Sequence, residues 1–311
     1  RAGEEARSRV ASLAASVWAR VKGAGASMLA DLDPLVRRAL ADRDAITDSY
    51  SHDPGAWIGW LESRASWITA NETDHVRVRC ELPGLDPEGA LRALREVEGE
   101  LSASIRWAFD DRFGYLGPEP GGLGHALVLS ASLHLPALSM TLAVDRAFRE
   151  ALAAGMEIVG QSSELGSTTA SVWTVAYRCP PDLAPEKAAA LLRRSCVALV
   201  EAERKARSTL RKRDALGLED AVSRAFGLSR YARALRTDEA LEAASFLRLG
   251  DALGLVAGMG PGRFAAALRE FPGSCLSLSG LPPDLPEIRR RALAFAAALG
   301  EVRLLQEEYG V

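Results

Sequence analysis

"NETDHVRVRCEL", residues 71–82, decides how the fold is read. Val76, Val78, Cys80 and Leu82 fall on one side of the run, and Arg77, Arg79 and Glu81 on the other. This period of two predicts a strand with one dry and one wet face. The strand follows a short polar turn holding Glu72, Thr73, Asp74 and His75. Such a loop can aim acid–base groups at a substrate, or it can simply close a hairpin, where acidic residues often organise the backbone. A second run, "ALVLSASLHLP" at 126–136, alternates as strictly: Leu127, Leu129, Ala131, Leu133 and Leu135 make a dry side, and Val128, Ser130, Ser132 and His134 the other.

Between and after these runs the spacing becomes helical. Pro87 stands near a helix start, with Leu91, Leu94, Val97, Leu101 and Ile105 on one face. Further strands are predicted at Trp57–Leu61, Ser66–Ala70, 156–160 and 171–179, with a helix at about 139–154. Glu186 to Arg213 reads as one long helix whose turns are marked by Leu192, Cys196, Leu199 and Glu203. Residues 1–50 predict two or three helices, and the C-terminal part is mostly helical, broken at "GMGPG" and "LSGLPPDLP". One-sided strands separated by helices of uneven length predict an α+β fold, an antiparallel sheet with helices packed on one face.

The 311 residues are 48% apolar and 25% charged, with a net charge of −3. That is ordinary for a globular chain, and it argues against a general affinity for nucleic acid. The basic run "ERKARSTLRKR" at 203–213 fits a solvated helix face. No run of about 18 apolar residues is present, and the start lacks the continuous apolar core of a signal peptide. The chain opens on Arg1 rather than Met, which reads as a trimmed start. Cys80, Cys179, Cys196 and Cys275 are widely spaced and predict buried thiols in a reducing cytoplasm. His75 and His134 lack neighbours at metal-ligand spacing, so no metal site is predicted. "GPEPGGLG" lacks the G-K-[ST] ending of a phosphate-cradling loop.

Five ordered stretches carry a resemblance: "NETDHVRV", "DDRFGYLG", "LHLPAL", "EAERKAR…LGLEDAVSRAFG" and "RLGDALGL". Together they resemble the ATP:guanido phosphotransferases, and within them the bacterial protein-arginine kinases. The resemblance spans about residues 55–300 and implies a small helical domain followed by a helix-flanked antiparallel sheet. Here that divides the chain into a helical region at 1–50, shorter than in the family, and a catalytic-type domain at 51–311. It implies that ATP with magnesium is held by arginines, while carboxylates and a cysteine orient the guanidinium. Phosphoryl transfer of this kind depends almost wholly on positioning and charge.

The charged groups can then be followed position by position. Where the family has N-E-E-D-H, this chain keeps Asn71, Glu72, Asp74 and His75 but has Thr73 in place of the substrate-contacting Glu. Arg77 matches a phosphate-binding arginine. In the C-P-T-N-x-G-T-x-x-R stretch, Glu119 replaces the cysteine, Pro120 and Gly124 match, and Val128 replaces an arginine. In the R-G-x-x-G-E-x-x-E loop, Gly160 and Glu164 match, while Val159 replaces the arginine and Ser167 the substrate-binding Glu. The S-S-R-x-R motif is visible only as "RSRVA", which keeps Arg9. A late phosphoarginine-binding motif is reduced to Glu287 and Arg290 in "PEIRRRA".

Losing one preorganised donor lowers a rate by about 10²–10³. Several are replaced together, which predicts an impaired kinase, a pseudokinase acting through a partner: an active kinase, a chaperone or protease component, or an arginine-bearing protein. ATP and magnesium then bind residually at most. Two rivals stay open. One is an active kinase in which Glu72 or Glu119 serves as base and Arg77, Arg9 or Arg178 holds phosphate; the other is a structural homodimer or larger homo-oligomer.

Overall fold

The computed structural model describes residues 2–43, 45–53, 55–117, 123–162 and 168–305. They form two compact units: unit 1 is Arg1–Ser130 with Ala176–Arg193, and unit 2 is Ala131–Val175 with Arg194–Val311.

Unit 1 is built on a four-stranded sheet, β1 (Gly25–Met28), β2 (Trp57–Leu61), β3 (Ser66–Ala70) and β4 (Val76–Cys80), in that spatial order and antiparallel throughout. Helices α1 (Ala2–Trp18) and α4 (Pro87–Ser102) supply one core with it. Ala14, Val17 and Trp18 meet Trp57, Leu61 and Ile68 of the sheet, and Val97 and Leu101 of α4. Helix α4 starts where the sequence places it, with Pro87 in the first turn and Asp86 capping the Gly89 N–H at 2.9 Å.

The other face of the sheet carries α2 (Pro34–Asp42) and α3 (Asp48–Ser51), whose Tyr50 joins Leu29, Ile46, Ala56 and Ile58 in a second cluster. Helices therefore cover part of both faces of this sheet, not one. Strand β1 also departs from the all-helical reading of residues 1–50. It is short and rich in small residues, and it exists because Gly25 to Met28 pair with Trp60 to Trp57. Close packing explains Gly59: a methyl group there would meet the Trp18 indole at 2.5 Å, while Trp18 Nε1 donates to Gly25 O at 3.1 Å. Leu82, read as part of a dry strand face, lies beyond β4 and is 37% exposed. A small hairpin, β5 (Phe109–Asp110) with β6 (Gly114–Tyr115), completes the unit.

Unit 2 holds most of a three-stranded sheet of order β7 (Val128–His134), β9 (Thr168–Arg178), β8 (Glu157–Ser162). The segment read as one helix at about 139–154 is two, α5 (Pro136–Met140) and α6 (Val144–Ala153), separated at Leu142, whose φ is +52°. Helix α7 runs Pro185–Arg213, close to the expected span. Then come α8 (Ala215–Tyr231), α9 (Thr237–Leu253), α10 (Pro261–Glu270), α11 (Gly273–Ser277) and α12 (Glu287–Ala298). A two-residue antiparallel ladder joins β10 (Val256–Ala257) to β11 (Arg303–Leu304). The helical core centres on Leu247, Met259, Phe271, Phe295 and Leu299.

The alternation of 127–135 holds where hydrocarbon is concerned: Leu127, Leu129, Leu133 and Leu135 are buried and Val128 is exposed. The reading fails at His134. Its Nε2 lies 2.8 Å from Ser245 Oγ, and its ring tilts against Phe264 at 4.5 Å, because α9 and α10 cover this end of the strand. Burial, with the charges of Arg207 and Arg248 adding to it, lowers the His134 pKa to about 3. Folded-state protonation is thus suppressed while the unfolded imidazole titrates near 6.5. Stability from this group is fully present above pH 6.5 and falls as pH drops toward 3. The expected loss at pH 5 is about 2 kcal/mol. Chemical denaturation at pH 7 and pH 5 checks this, since His134→Gln should remove most of that difference.

Candidate functional site

The turn between β3 and β4 is built from Asn71 outward. Asn71 takes φ = +68°, a conformation asparagine tolerates better than most residues. Its N–H donates to His75 O at 3.0 Å, closing the turn, and its Nδ2 donates to Arg7 O at 2.8 Å. Arg7 in turn pairs with Asp53.

Glu72 points inward from this turn, with its side chain only 2% exposed. Its Oε1 accepts from the Thr47 N–H at 3.0 Å, and its Oε2 accepts from Thr69 Oγ1 at 3.1 Å and Arg77 Nη1 at 3.5 Å. Arg77 Nη2 also reaches Asp74 Oδ2 at 3.4 Å. The guanidinium is therefore bracketed by two carboxylates of its own turn. Next to it, Arg79 Nη1 donates to Ala45 O at 3.4 Å and Trp67 Nε1 to the same oxygen at 3.1 Å. The side of β4 read as wet thus carries the chain around residues 45–47. Thr73 and His75 are exposed at the tip.

The remaining expected positions lie on other elements. Arg9 stands exposed on α1, so "RSRVA" is helical. Val128 is 50% exposed at the start of β7, and Val159 is 63% exposed on β8. Arg178 ends β9 and is exposed. Gly124, at φ = +91°, bonds through its N–H to Phe113 O and accepts from the Tyr115 N–H, both at 2.8 Å. This pins the following loop to the β5–β6 hairpin. Glu119, Pro120, Glu164 and Ser167 lie outside the described residues.

Glu287 and Arg290 sit at the start of α12. Glu287 is bonded to Arg291, and Arg290 Nη1 reaches Ser277 Oγ at 3.4 Å. Among the described residues no three His, Cys, Asp or Glu side chains gather as metal ligands. All four thiols are unpaired, and Cys179, Cys196 and Cys275 are buried. Burial pushes the Cys196 pKa up to about 11 and raises that of Cys80, which leaves both unreactive as nucleophiles.

Two further ionic residues, Glu203 and Arg291, are buried. Glu203, 2% exposed, accepts from the N–H groups of Ala137 and Leu138 at 3.1 and 2.9 Å and pairs with Arg207 at 2.6 Å. Arg291, 1% exposed, donates to Phe271 O at 2.9 Å and Leu235 O at 3.1 Å and pairs with Glu287. Both had a signal. Glu203 continues the apolar stripe of its helix, and Arg291 lies four residues before the buried Phe295.

The sequence pattern of the ATP:guanido phosphotransferase C-terminal catalytic domain matches residues 9–178, more than half of the chain. The chain belongs to this family. Residues 215–268 also match the protein-arginine kinase McsB C-terminal domain. Among individual relatives, a protein-arginine kinase of Symbiobacterium thermophilum is 32% identical over 229 residues, covering 73% of this chain and 65% of that protein. The Geobacillus thermodenitrificans protein-arginine kinase is 29% identical over 270 residues, covering 85% of this chain and 74% of the relative. The chain thus spans 65% and 74% of the length of these two relatives.

Solved structures agree on the fold. The substrate-free duplicated taurocyamine kinase of Schistosoma mansoni superposes with a TM-score of 0.53 at 18% identity, over 65% of this chain and 29% of that one. Lombricine kinase gives 0.52 at 18% identity, over 65% of this chain and 60% of that one. The mixture of helices with antiparallel sheet in this chain is consistent with the fold of these guanidino kinases.

Proposed function

We propose that this phosphotransferase homologue is an impaired protein-arginine kinase that acts by binding a partner protein. The observation that supports this most is the state of Arg77 and Glu72. Arg77 holds the place that the family resemblance gives to a phosphate-binding arginine, yet it lies between Glu72 and Asp74. Two carboxylates at 3.4–3.5 Å oppose the approach of a triphosphate. Glu72 has its oxygens occupied by Thr47, Thr69 and Arg77, an arrangement suited to holding residues 45–47 on the sheet rather than accepting a substrate proton.

Val128 and Val159 add no hydrogen-bond donor where the family resemblance implies arginine. Thr73 supplies no anion where it implies glutamate. On this reading the described residues do not fit a magnesium-bound triphosphate, and no transfer step is assigned to them. The unpaired thiols fit a reducing bacterial cytoplasm.

Thermal unfolding with increasing Mg-ATP tests nucleotide binding. A site filled at 100 times its Kd would add about 2.7 kcal/mol of stability. The expected result is no saturable shift, in the parent chain or in Arg77→Ala. A saturable shift in the parent that Arg77→Ala abolishes would overturn the reading.

A further inference from the structure

Helix α8 of unit 2 ends at Tyr231, whose side chain is 81% exposed; Leu228, one turn earlier, is 40% exposed. Ile288, in the first turn of α12, is 45% exposed. The loop after α8 is tied to α12 by three hydrogen bonds. Leu235 N–H donates to Ile288 O at 3.0 Å, Arg289 Nη1 to Arg233 O at 3.1 Å, and Arg291 Nη1 to Leu235 O at 3.1 Å. An exposed phenol and two exposed aliphatic side chains are thus presented on elements tied together by hydrogen bonds, which lowers the ordering cost of binding.

The charge around these side chains is mixed, and most of its unpaired share is cationic. Arg230 donates to Gly300 O and Val302 O and lies over the Phe226 ring, and Arg289 donates to a carbonyl through Nη1, which leaves its charge unneutralised. Neither they nor Arg233 pair with a carboxylate among the described residues. Nearby carboxylates are engaged elsewhere: Glu287 by Arg291, and Asp238 and Glu239 by Arg236. Asp284 is the exposed exception. In a chain of net charge −3, this surface combines cationic groups with a tyrosine and two aliphatic side chains.

We propose that this surface docks an acidic, amphipathic segment of a partner protein. Apolar side chains of the segment rest on Tyr231, Leu228 and Ile288, and its carboxylates meet Arg233 and Arg289. Tyrosine and arginine are the residue types that most often dominate interface energy. Leu228 and Ile288 offer no face for base stacking, which favours a peptide over single-stranded nucleic acid. The proposal rests on the partner-binding reading above and gives that partner its chemistry.

Fluorescence anisotropy of a labelled peptide, four repeats of Glu-Glu-Leu-Phe, titrated with the full chain is the test. The expected result is binding that weakens with added salt and falls about tenfold or more in both Tyr231→Ala and Arg233→Glu. Thermal midpoints of both variants should match the parent. Equal binding by the parent and both variants would overturn the proposal. So would displacement of the peptide by a single-stranded oligonucleotide, or a concentration-dependent dimer that Tyr231→Ala dissolves, since these assign the surface to nucleic acid or to a second copy. Failure here alongside absent phosphoryl transfer removes this docking surface and leaves the impaired-kinase reading standing. Peptide binding alongside robust transfer does the reverse.

Discussion

Glu203→Ala is expected to destabilise unit 2 by about 3–5 kcal/mol, enough to lower its unfolding midpoint by on the order of 10 °C. The carboxylate receives the N–H groups of Ala137 and Leu138, two of the unsatisfied donors at the start of α5, and it also neutralises Arg207. Truncation leaves two buried amides without acceptors and a mostly buried guanidinium without its counter-ion. The surrounding Leu135, Ala137 and Leu138 are buried hydrocarbon and cannot substitute as acceptors. Glu203→Gln separates the two causes: its amide oxygen can still accept one N–H, so it should lose roughly half as much. Urea unfolding of the three proteins measures this. A Glu203→Ala loss under 1 kcal/mol would mean that the buried carboxylate holds nothing in place.

Arg291→Ala should cost nearly as much, about 3–4 kcal/mol. The guanidinium ties the start of α12 to the carbonyls of Phe271 and Leu235, at the end of α10 and ahead of α9. Its removal leaves two buried carbonyls without donors and a void beside Phe271 and Phe295, whose rings meet at 5.2 Å. Glu287 is half exposed and can return to water, so its loss of a partner adds little. Arg291→Lys keeps the charge without the planar fork and should recover only part of the loss. The change is read by urea unfolding and by protection of α12 amides in hydrogen exchange. Unchanged protection in Arg291→Ala would contradict the assigned role.

Much of the architecture was readable because it is written in local periods. The alternation at 127–135 and the stripe of Leu192, Cys196 and Leu199 report burial directly. So does the proline-led start of α4. Features set by distant partners were not readable. β1 exists through pairing with Trp57–Trp60, some thirty residues on. His134 is half-buried because Ser245 and Phe264 arrive from far along the chain. The same holds for the candidate site. The identities Glu72, Thr73 and Arg77 were visible, but the inward turn of Glu72 toward the Thr47 amide, 25 residues away, was not. That contact fastens the chain at Thr47 to the turn.

Transfer of labelled γ-phosphate from Mg-ATP, to free arginine and to an arginine-rich protein, tests the central claim most directly. With charges replaced at several positions, each worth about 10²–10³ in rate, incorporation is expected to stay at the level of a no-enzyme control. Sustained incorporation into an acid-labile, arginine-linked product, lost in Glu72→Gln or Arg77→Ala, would contradict the account.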